Sequence, residues 1–357
     1  MQSIGRTVYD FVWNEWFWLP ENQTWAEMRA RPDVVYHGVV EVWVWPIVFG
    51  SIMLHLRCLY FNTYVAMPLA KLMGIPVSFV EPPVKNKVLE YLYKCYKKNV
   101  PENVLKESAA TSGLSDEYIT DWLAKRHESS TPTSFMRFSN TCFSQVAHII
   151  SFSLAIRAVY NRPWLTDISL CFENYPHQSV EPNVWYLYIV VLSFYWEQLF
   201  WQLVDLKNSQ TVIEIIHHVT TIVLMSFSWT GGFSRMGTLF LVSHEGNDIP
   251  LLFGKMFNYA KYYKMKDLLF AIFVVYWLST RMVIYPWYIL WECYFRMPPG
   301  TVSPAVRFQY CWAFALLILN FLWTSLIVRV VYSLLVKGNP IDDIRETDES
   351  KTCKKVE

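Results

Sequence analysis

Residues 214–229 read EIIHHVTTIVLMSFSW and place two adjacent histidines, His217 and His218, near the start of an otherwise apolar run. A run of this length is typical of a membrane-spanning helix, which needs about 20 mostly apolar residues. Ionisable side chains in such a helix are costly and usually face the interior of a bundle or a wet cavity. The segment therefore predicts a membrane helix that carries part of a functional site.

The composition of the whole chain indicates a membrane protein. Of its 357 residues, 53% are hydrophobic and 17% aromatic, and 31 basic residues balance 30 acidic ones. The near-zero net charge gives no reason to expect a nucleic-acid partner. The seven cysteines are scattered without a CxxC pair, so neither a disulfide framework nor a zinc ribbon is expected. The N-terminus lacks the pattern of a secretory signal, and we expect it to remain in the mature protein.

Hydropathy predicts an all-α, polytopic membrane protein with about seven transmembrane helices forming a bundle. The predicted spans are residues 39–60, 143–161, 184–204, 211–230, 235–257, 268–290 and 308–336. We expect the chain to divide into a lumenal segment 1–38, the first transmembrane helix 39–60, a cytosolic insert 82–135, a catalytic transmembrane domain 136–336 that holds the other six spans, and a cytosolic tail 337–357.

The lysines predict the orientation of these spans, because Lys and Arg in short loops favour the cytoplasmic side. With the N-terminus lumenal and seven spans, all 17 lysines fall on or beside the cytoplasmic face. Asn22 begins an N-glycosylation sequon, which requires a lumenal position. Lys354 and Lys355 form a dilysine retrieval signal near the C-terminus. Together they predict a multi-pass protein of the endoplasmic-reticulum membrane with a cytosolic C-terminus.

The insert at residues 82–135 is polar and patterned as three helices. Its first helix is expected to bury one stripe of side chains, and Ser115 is expected to cap the third helix. The stripe consists of Val84, Val88, Leu89, Leu92 and Cys95. Three helices with a Trp in the third resemble a homeodomain, but Lys125 stands where a homeodomain has its adenine-reading Asn. We therefore expect a docking or regulatory module and no nucleic-acid partner.

Two polar stripes lie on consecutive predicted helices. Glu214, His217 and His218 share one helix face, and the next span carries a second set at similar spacing. The second set is His244, Glu245 and Asp248. From the 1.5 Å rise per residue, His217 and Asp248 lie roughly 9 and 10 Å below the cytoplasmic boundary. The two stripes are therefore expected to meet at one level.

A neutral imidazole held by a carboxylate is the usual general base or nucleophile, which His217 with Asp248 fits, and His218 could support or share the role. A structural alternative is that these histidines only join helices through hydrogen bonds. Three His and an Asp could also bind zinc in a membrane hydrolase. Because adjacent histidines point about 100° apart on a helix, we expect no metal site.

The stretch HHVTTIVLMSFSWTGGFSRMGTLFLVSHEGNDIPLLFGKMFNYAKYYK, residues 217–264, resembles the Lag1 motif of the ceramide synthases within the TLC-domain superfamily. Further similar segments follow the family's order from residue 13 to about residue 336. They include WNEWFWLPENQTW at 13–25, the homeodomain-like insert and LSFYWE at 192–197. In this chain Glu245 replaces the first Asp of the family's usual pattern.

The resemblance implies an acyltransferase that joins a long-chain fatty acyl-CoA to the amine of a sphingoid base, with no other cofactor. It implies His217, His218 and Asp248 as catalytic residues. Supporting roles are then expected for Glu214, Arg235, His244 and Glu245. Other implied features are contact with membrane lipids, a homo- or hetero-dimer with related synthases, and a chain-length segment near residues 293–305.

A catalytically impaired regulatory partner of an active synthase remains an alternative, supported by the altered motif at Glu245. The metal-dependent membrane hydrolase is the second alternative. Cys171 and Cys293 both fall on the predicted lumenal side, and sequence leaves open whether they pair.

Overall fold

The computed structural model describes residues 9–32, 34–35, 38–78, 81–130, 133–204 and 209–337. Within these ranges the chain forms helices and no strand. The helices before the insert are α1 (Glu15–Trp18), α2 (Trp25–Ala30), α3 (Val39–Leu56), π1 (Arg57–Ala66) and α4 (Met67–Leu72). The insert contains α5 (Lys87–Tyr96), α6 (Glu102–Ser112) and α7 (Asp116–Ser130). Two short 3-10 helices, Pro163–Leu165 and Ile168–Cys171, follow α8 (Ser134–Val159). The remaining helices are α9 (Pro182–Val204), α10 (Ser209–Thr230), α11 (Ser234–Glu245), α12 (Asp248–Tyr259), α13 (Tyr263–Trp277), π2 (Leu278–Trp291), α14 (Glu292–Arg296) and α15 (Pro304–Lys337).

The described residues contain five helices long and apolar enough to cross a membrane. They lie within Glu41–Leu72, Asp116–Val159, Val212–Thr230, Tyr263–Arg296 and Pro304–Val336. These findings confirm the all-α, polytopic membrane fold. The two other predicted spans correspond to the 23-residue helix α9 and to the consecutive helices α11 and α12.

The first predicted span is longer than residues 39–60, since α3, π1 and α4 follow one another without a break to Leu72. Arg57 lies near the predicted end of this span, where a charged side chain could reach the membrane boundary. Instead its guanidinium is buried and donates to Glu197 of α9 at 2.6 Å and to Asn140 of α8 at 3.0 Å. An arginine that is paired inside the bundle does not need to reach the membrane boundary, so the helix continues past it.

The predicted span 235–257 is interrupted at Gly246 and Asn247, between α11 and α12. Pro250 explains the position of the break, because it has no N–H to donate to the carbonyl four residues earlier, that of Gly246. The Asn247 amide donates to Ser243 O at 3.3 Å and to Thr280 Oγ1 at 2.8 Å. Asn247 thus joins the turn between α11 and α12 to π2 through a hydrogen bond.

The helices bury a shared core, in which α9 packs against α3, α8 and α10, and α8 also packs against α11 and α12. At one end of the bundle, a turn connects α12 to α13. We call this the lysine-rich end, because the turn and the helix ends beside it carry Lys255, Lys261, Lys264 and Lys266. At the opposite end Trp18 and Met28 of the N-terminal segment pack on Ala305 of α15. Asn22 is exposed in this segment, whereas Lys354 and Lys355 lie outside the described residues.

The insert forms the three predicted helices around a core of its own. That core consists of Leu89, Leu92, Tyr93, Ile119, Trp122 and Leu123. The predicted stripe on α5 was partly wrong, since Val84, Val88 and Cys95 are exposed and Tyr93 is buried instead. The predicted Ser115 cap is present, as its hydroxyl accepts from the Tyr118 N–H at 3.2 Å.

Gly50 allows α3 and α9 to approach closely. A Cβ at this position would lie 2.7 Å from the Ser193 carbonyl oxygen and 3.1 Å from Trp196 Cβ. We expect Gly50→Leu to destabilise the fold by about 1–3 kcal/mol through overpacking. Thermal unfolding of the detergent-solubilised protein measures this, with Ile52→Leu at an exposed position of α3 as the control. Equal stability of both variants would contradict the close packing.

Candidate functional site

A cavity of about 460 Å³ opens among the helices at the lysine-rich end of the bundle. Its wall comes from π1, α8, α9, α10, α12, α13, π2 and α15. The polar side chains in this wall include His148, Tyr195, Glu214, His217, His218 and Asp248. The whole of the first predicted stripe therefore reaches this cavity, whereas Asp248 is the one member of the second stripe in its wall.

The adjacent histidines of α10 both face this cavity, although their rings point in different directions. The ring centroids of His217 and His218 are 5.6 Å apart, and His217 lies edge-on to Trp323 at 5.0 Å. Tyr195 approaches His218 at 5.4 Å. Both Nδ1 atoms are buried and have no hydrogen-bond partner among the described residues. Ring contacts therefore hold the two histidines, and the described protein groups make no hydrogen bond to either Nδ1 atom.

Asp248 begins α12 and lines the same cavity. Its carboxyl group interacts electrostatically with His148, His218 and Arg281, which belong to three different elements. The first turn of a helix also suits a carboxylate, because the helix dipole is positive there. Asp248 is therefore the acidic group placed among the imidazoles of the cavity.

Glu245 does not line the cavity but is anchored behind it. The Tyr195 hydroxyl donates to its Oε1 at 2.9 Å, and His148 Nδ1 lies 3.0 Å from its Oε2. Sequence reasoning missed His148, although the rule used for His217 also applies to a lone histidine inside a predicted span. Because His148 reaches the cavity wall, Glu245 can act on the cavity through that imidazole.

The other expected supporting residues are divided between the cavity and distant positions. Glu214 lines the cavity and accepts from Gln202 at 3.5 Å. His244 is turned away, stacking on Phe240 at 4.1 Å and lying edge-on to Tyr285. Arg235 lies at the opposite end, where it donates to the Leu170 carbonyl at 3.0 Å. The structure therefore does not bring His244 or Arg235 to the cavity wall.

Four cationic side chains, which sequence analysis did not select, also line the cavity. They are Arg57, Lys255, Lys266 and Arg281. Arg57 is neutralised by Glu197 and lies between the rings of Phe143 and Trp201. Lys255 and Lys266 belong to the lysine-rich end. The cavity is therefore more basic than the two sequence stripes alone indicate.

A second cavity of about 80 Å³ lies at the opposite end of the bundle. Its wall is mostly apolar and includes Phe240, Tyr285, Cys293 and Met297. Cys171 and Cys293 are free thiols in the structure, and the Cys293 thiol lies 3.5 Å from Met236 Sδ. This cavity reaches part of the segment 293–305 that the family resemblance associates with chain length.

The acidic and imidazole groups do not form a metal-binding cluster in the part of the chain that is described. No group of three or more His, Cys, Asp or Glu side chains is arranged there to hold an ion. The diverging rings of His217 and His218 agree with the geometry expected of neighbouring residues on one helix.

Comparison with known proteins places this bundle and its cavity in a family. A family model described as TLC domain matches residues 137–329, which include every helix from α9 to α14. A Bos taurus protein named ceramide synthase 4 is 30% identical over 349 residues, covering 97% of this chain and 88% of that protein. Ceramide synthase 5 of Homo sapiens is also 30% identical, with the same coverage of both chains. The chain therefore belongs to the ceramide synthase family of TLC-domain proteins.

Tyr195 is expected to stabilise the carboxylate behind the cavity. Replacing it with Phe removes one hydrogen bond from a fully buried carboxylate, which costs about 1–3 kcal/mol. We therefore expect Tyr195→Phe to lower the midpoint of thermal unfolding. Tyr186→Phe, at an exposed position of the same helix, is the matched control and should have no effect. A Tyr195→Phe variant as stable as the control would show that the hydrogen bond contributes nothing.

Proposed function

We propose that this protein is a sphingoid base N-acyltransferase that makes ceramide or dihydroceramide from a long-chain fatty acyl-CoA. The observation that carries the proposal is the pair of imidazoles with unpartnered Nδ1 atoms that line, together with Asp248, a cavity that opens at one end of the bundle. Membership of the ceramide synthase family supports the same reaction. Acyl-CoA serves as co-substrate, and the reaction needs no further cofactor.

In the proposed reaction His217 either takes the acyl group or accepts the proton of the attacking amine. His218 supports it, and Asp248 stabilises the positive charge that forms on the imidazole pair, since its carboxyl group lies in the wall of the same cavity. Glu245 acts one step further away, by orienting His148. The longer carboxylate at position 245 therefore still has a partner, and Asp248 keeps its place in the cavity wall with the two histidines.

The arrangement of charge suggests how the substrates enter. We propose that the lysine-rich end faces the cytosol, where Lys255 and Lys266 would attract the phosphates of CoA. The acyl chain would extend into the apolar interior toward the second cavity, while the sphingoid base would enter from the membrane. The sequon at Asn22 and the C-terminal dilysine support an endoplasmic-reticulum location with a lumenal N-terminus. Assembly into a dimer stays a prediction.

Substituting His217 tests the proposed chemistry. Purified protein given acyl-CoA and a sphingoid base is expected to release free CoA thiol and to form the amide. His217→Ala should lower kcat by about 10²–10⁴-fold, the usual contribution of a positioned acid–base group. Asp248→Asn, which keeps the shape but removes the charge, should lower kcat as well. Thiol release and lipid mass spectrometry measure the two products.

The matched control is His55→Ala, because His55 is exposed on α3 and bonds only to its own helix at Ser51 O. This variant should keep wild-type activity, and gel filtration should show that all variants are folded. Wild-type protein that is inert but co-purifies with an active synthase would instead support the regulatory function. Ceramide cleavage that chelators abolish would support the hydrolase.

A further inference from the structure

Arg281 is a buried cation that the proposed reaction has not yet used. It is 3% exposed and lies in π2, where the helix is wider than an α-helix. Helical segments of this kind are frequent at functional sites, because the extra residue per turn changes which side chains face inward. Arg281 lines the cavity that contains His217 and His218.

The contacts of the Arg281 guanidinium are neutral. One amino group donates to the His244 carbonyl at 3.1 Å, and the other lies 3.4 Å from the Asn320 amide oxygen. The guanidinium carbon lies 5.0 Å from the centre of the Trp277 ring. Its Nε atom is buried and has no hydrogen-bond partner among the described residues. None of these described contacts is with a carboxylate.

This pairing differs from that of the other buried arginine. Arg57 has a direct ion pair with Glu197 at 2.6 Å, as expected for a charge inside a membrane-spanning bundle. Asp248 and Glu245 interact with Arg281 only through their electric field. Arg281 thus lines the cavity and keeps one buried N–H without a protein partner, and an anion or a strongly polarised oxygen bound against it would satisfy that N–H.

Arg281 also interacts electrostatically with His217, the proposed reactive imidazole. Acyl transfer from a thioester creates negative charge on the carbonyl oxygen in its transition state. A donor that is fixed before the reaction and shielded from water stabilises such a charge strongly.

We propose that Arg281 is a catalytic residue that donates its Nε–H to the thioester carbonyl oxygen of the bound acyl-CoA as this oxygen becomes an oxyanion. This proposal rests on the proposed function. The attacking nitrogen forms a bond to the carbonyl carbon, and the carbonyl π electrons move to the oxygen, which Arg281 binds. The oxyanion then collapses and breaks the C–S bond. When the amine attacks directly, its proton passes to His217 and then to the sulfur, giving the amide and free CoA thiol.

A merely structural arginine would balance the charges of Asp248 and Glu245 without touching substrate. The two roles differ in their kinetics, because an interaction made only in the transition state affects kcat and leaves KM unchanged. They also differ in chemical rescue. A small guanidinium ion can fill the space left by a truncated arginine and restore a missing donor, whereas an ordinary salt cannot.

The experiment measures kcat and KM for acyl-CoA in Arg281→Gln, Arg281→Lys and Arg281→Ala. We expect Arg281→Gln to lower kcat by about 10²–10³-fold with KM nearly unchanged, as for loss of an oxyanion donor. Arg281→Lys keeps the charge but has no donor at the Nε position, so its kcat should fall at least tenfold. Millimolar guanidinium chloride should restore Arg281→Ala more than tenfold, and sodium chloride at equal concentration should not. Arg307→Gln, at an exposed position of α15, is the control.

Wild-type kcat in the Lys or Gln variant, a change in KM alone, or no difference between the two salts would overturn the proposal. If gel filtration shows that the Gln and Ala variants do not fold, the kcat of Arg281→Lys tests the proposal by itself, because this variant keeps the buried charge. The proposed function fails separately, since wild-type protein would then release no CoA thiol. If the wild type is active and the Arg281 variants have the same kcat, only the proposed role of Arg281 is rejected.

Discussion

Charged side chains inside a membrane-spanning bundle must find their partners within the protein, because lipid offers none. In this structure Glu245 is held by Tyr195 and His148, so one carboxylate joins α8, α9 and α11. The ion pair of Arg57 with Glu197 fixes the first membrane helix to α9 in the same way. The cavity exists between helices that these polar contacts hold in register.

The positions of the membrane helices could be predicted from sequence, because a long apolar run is a local property of the chain. Their ends could not. Arg57 has its partner 140 residues away, and nothing near it in sequence shows that the helix continues to Leu72. The interruption before Asp248 was signalled by Pro250, but its exact place depends on the Asn247 contact with Thr280 of π2.

Sequence analysis predicted correctly those cavity residues whose spacing places them on one face of a single helix. His217, His218, Glu214 and Asp248 all line the cavity. His244 comes four residues before Asp248, yet the break between α11 and α12 changes its direction, and it packs against Phe240 instead.

The remaining cavity groups come from segments far apart in the chain. His148 and Arg281 belong to α8 and π2, and only the folded bundle brings them together. A single ionisable residue in a span shows that a site exists nearby, but not which other helices complete it. The basic character of the cavity therefore became visible only in three dimensions.

The ion pair between Arg57 and Glu197 makes the working unit of this protein larger than the segment that matches the TLC domain. The TLC match begins at residue 137, whereas Arg57 belongs to the helix that precedes the insert. A shortened chain that started at the match would lose part of the cavity wall and leave Glu197 buried without its counter-ion. A functional fragment of this protein therefore has to include the first membrane helix.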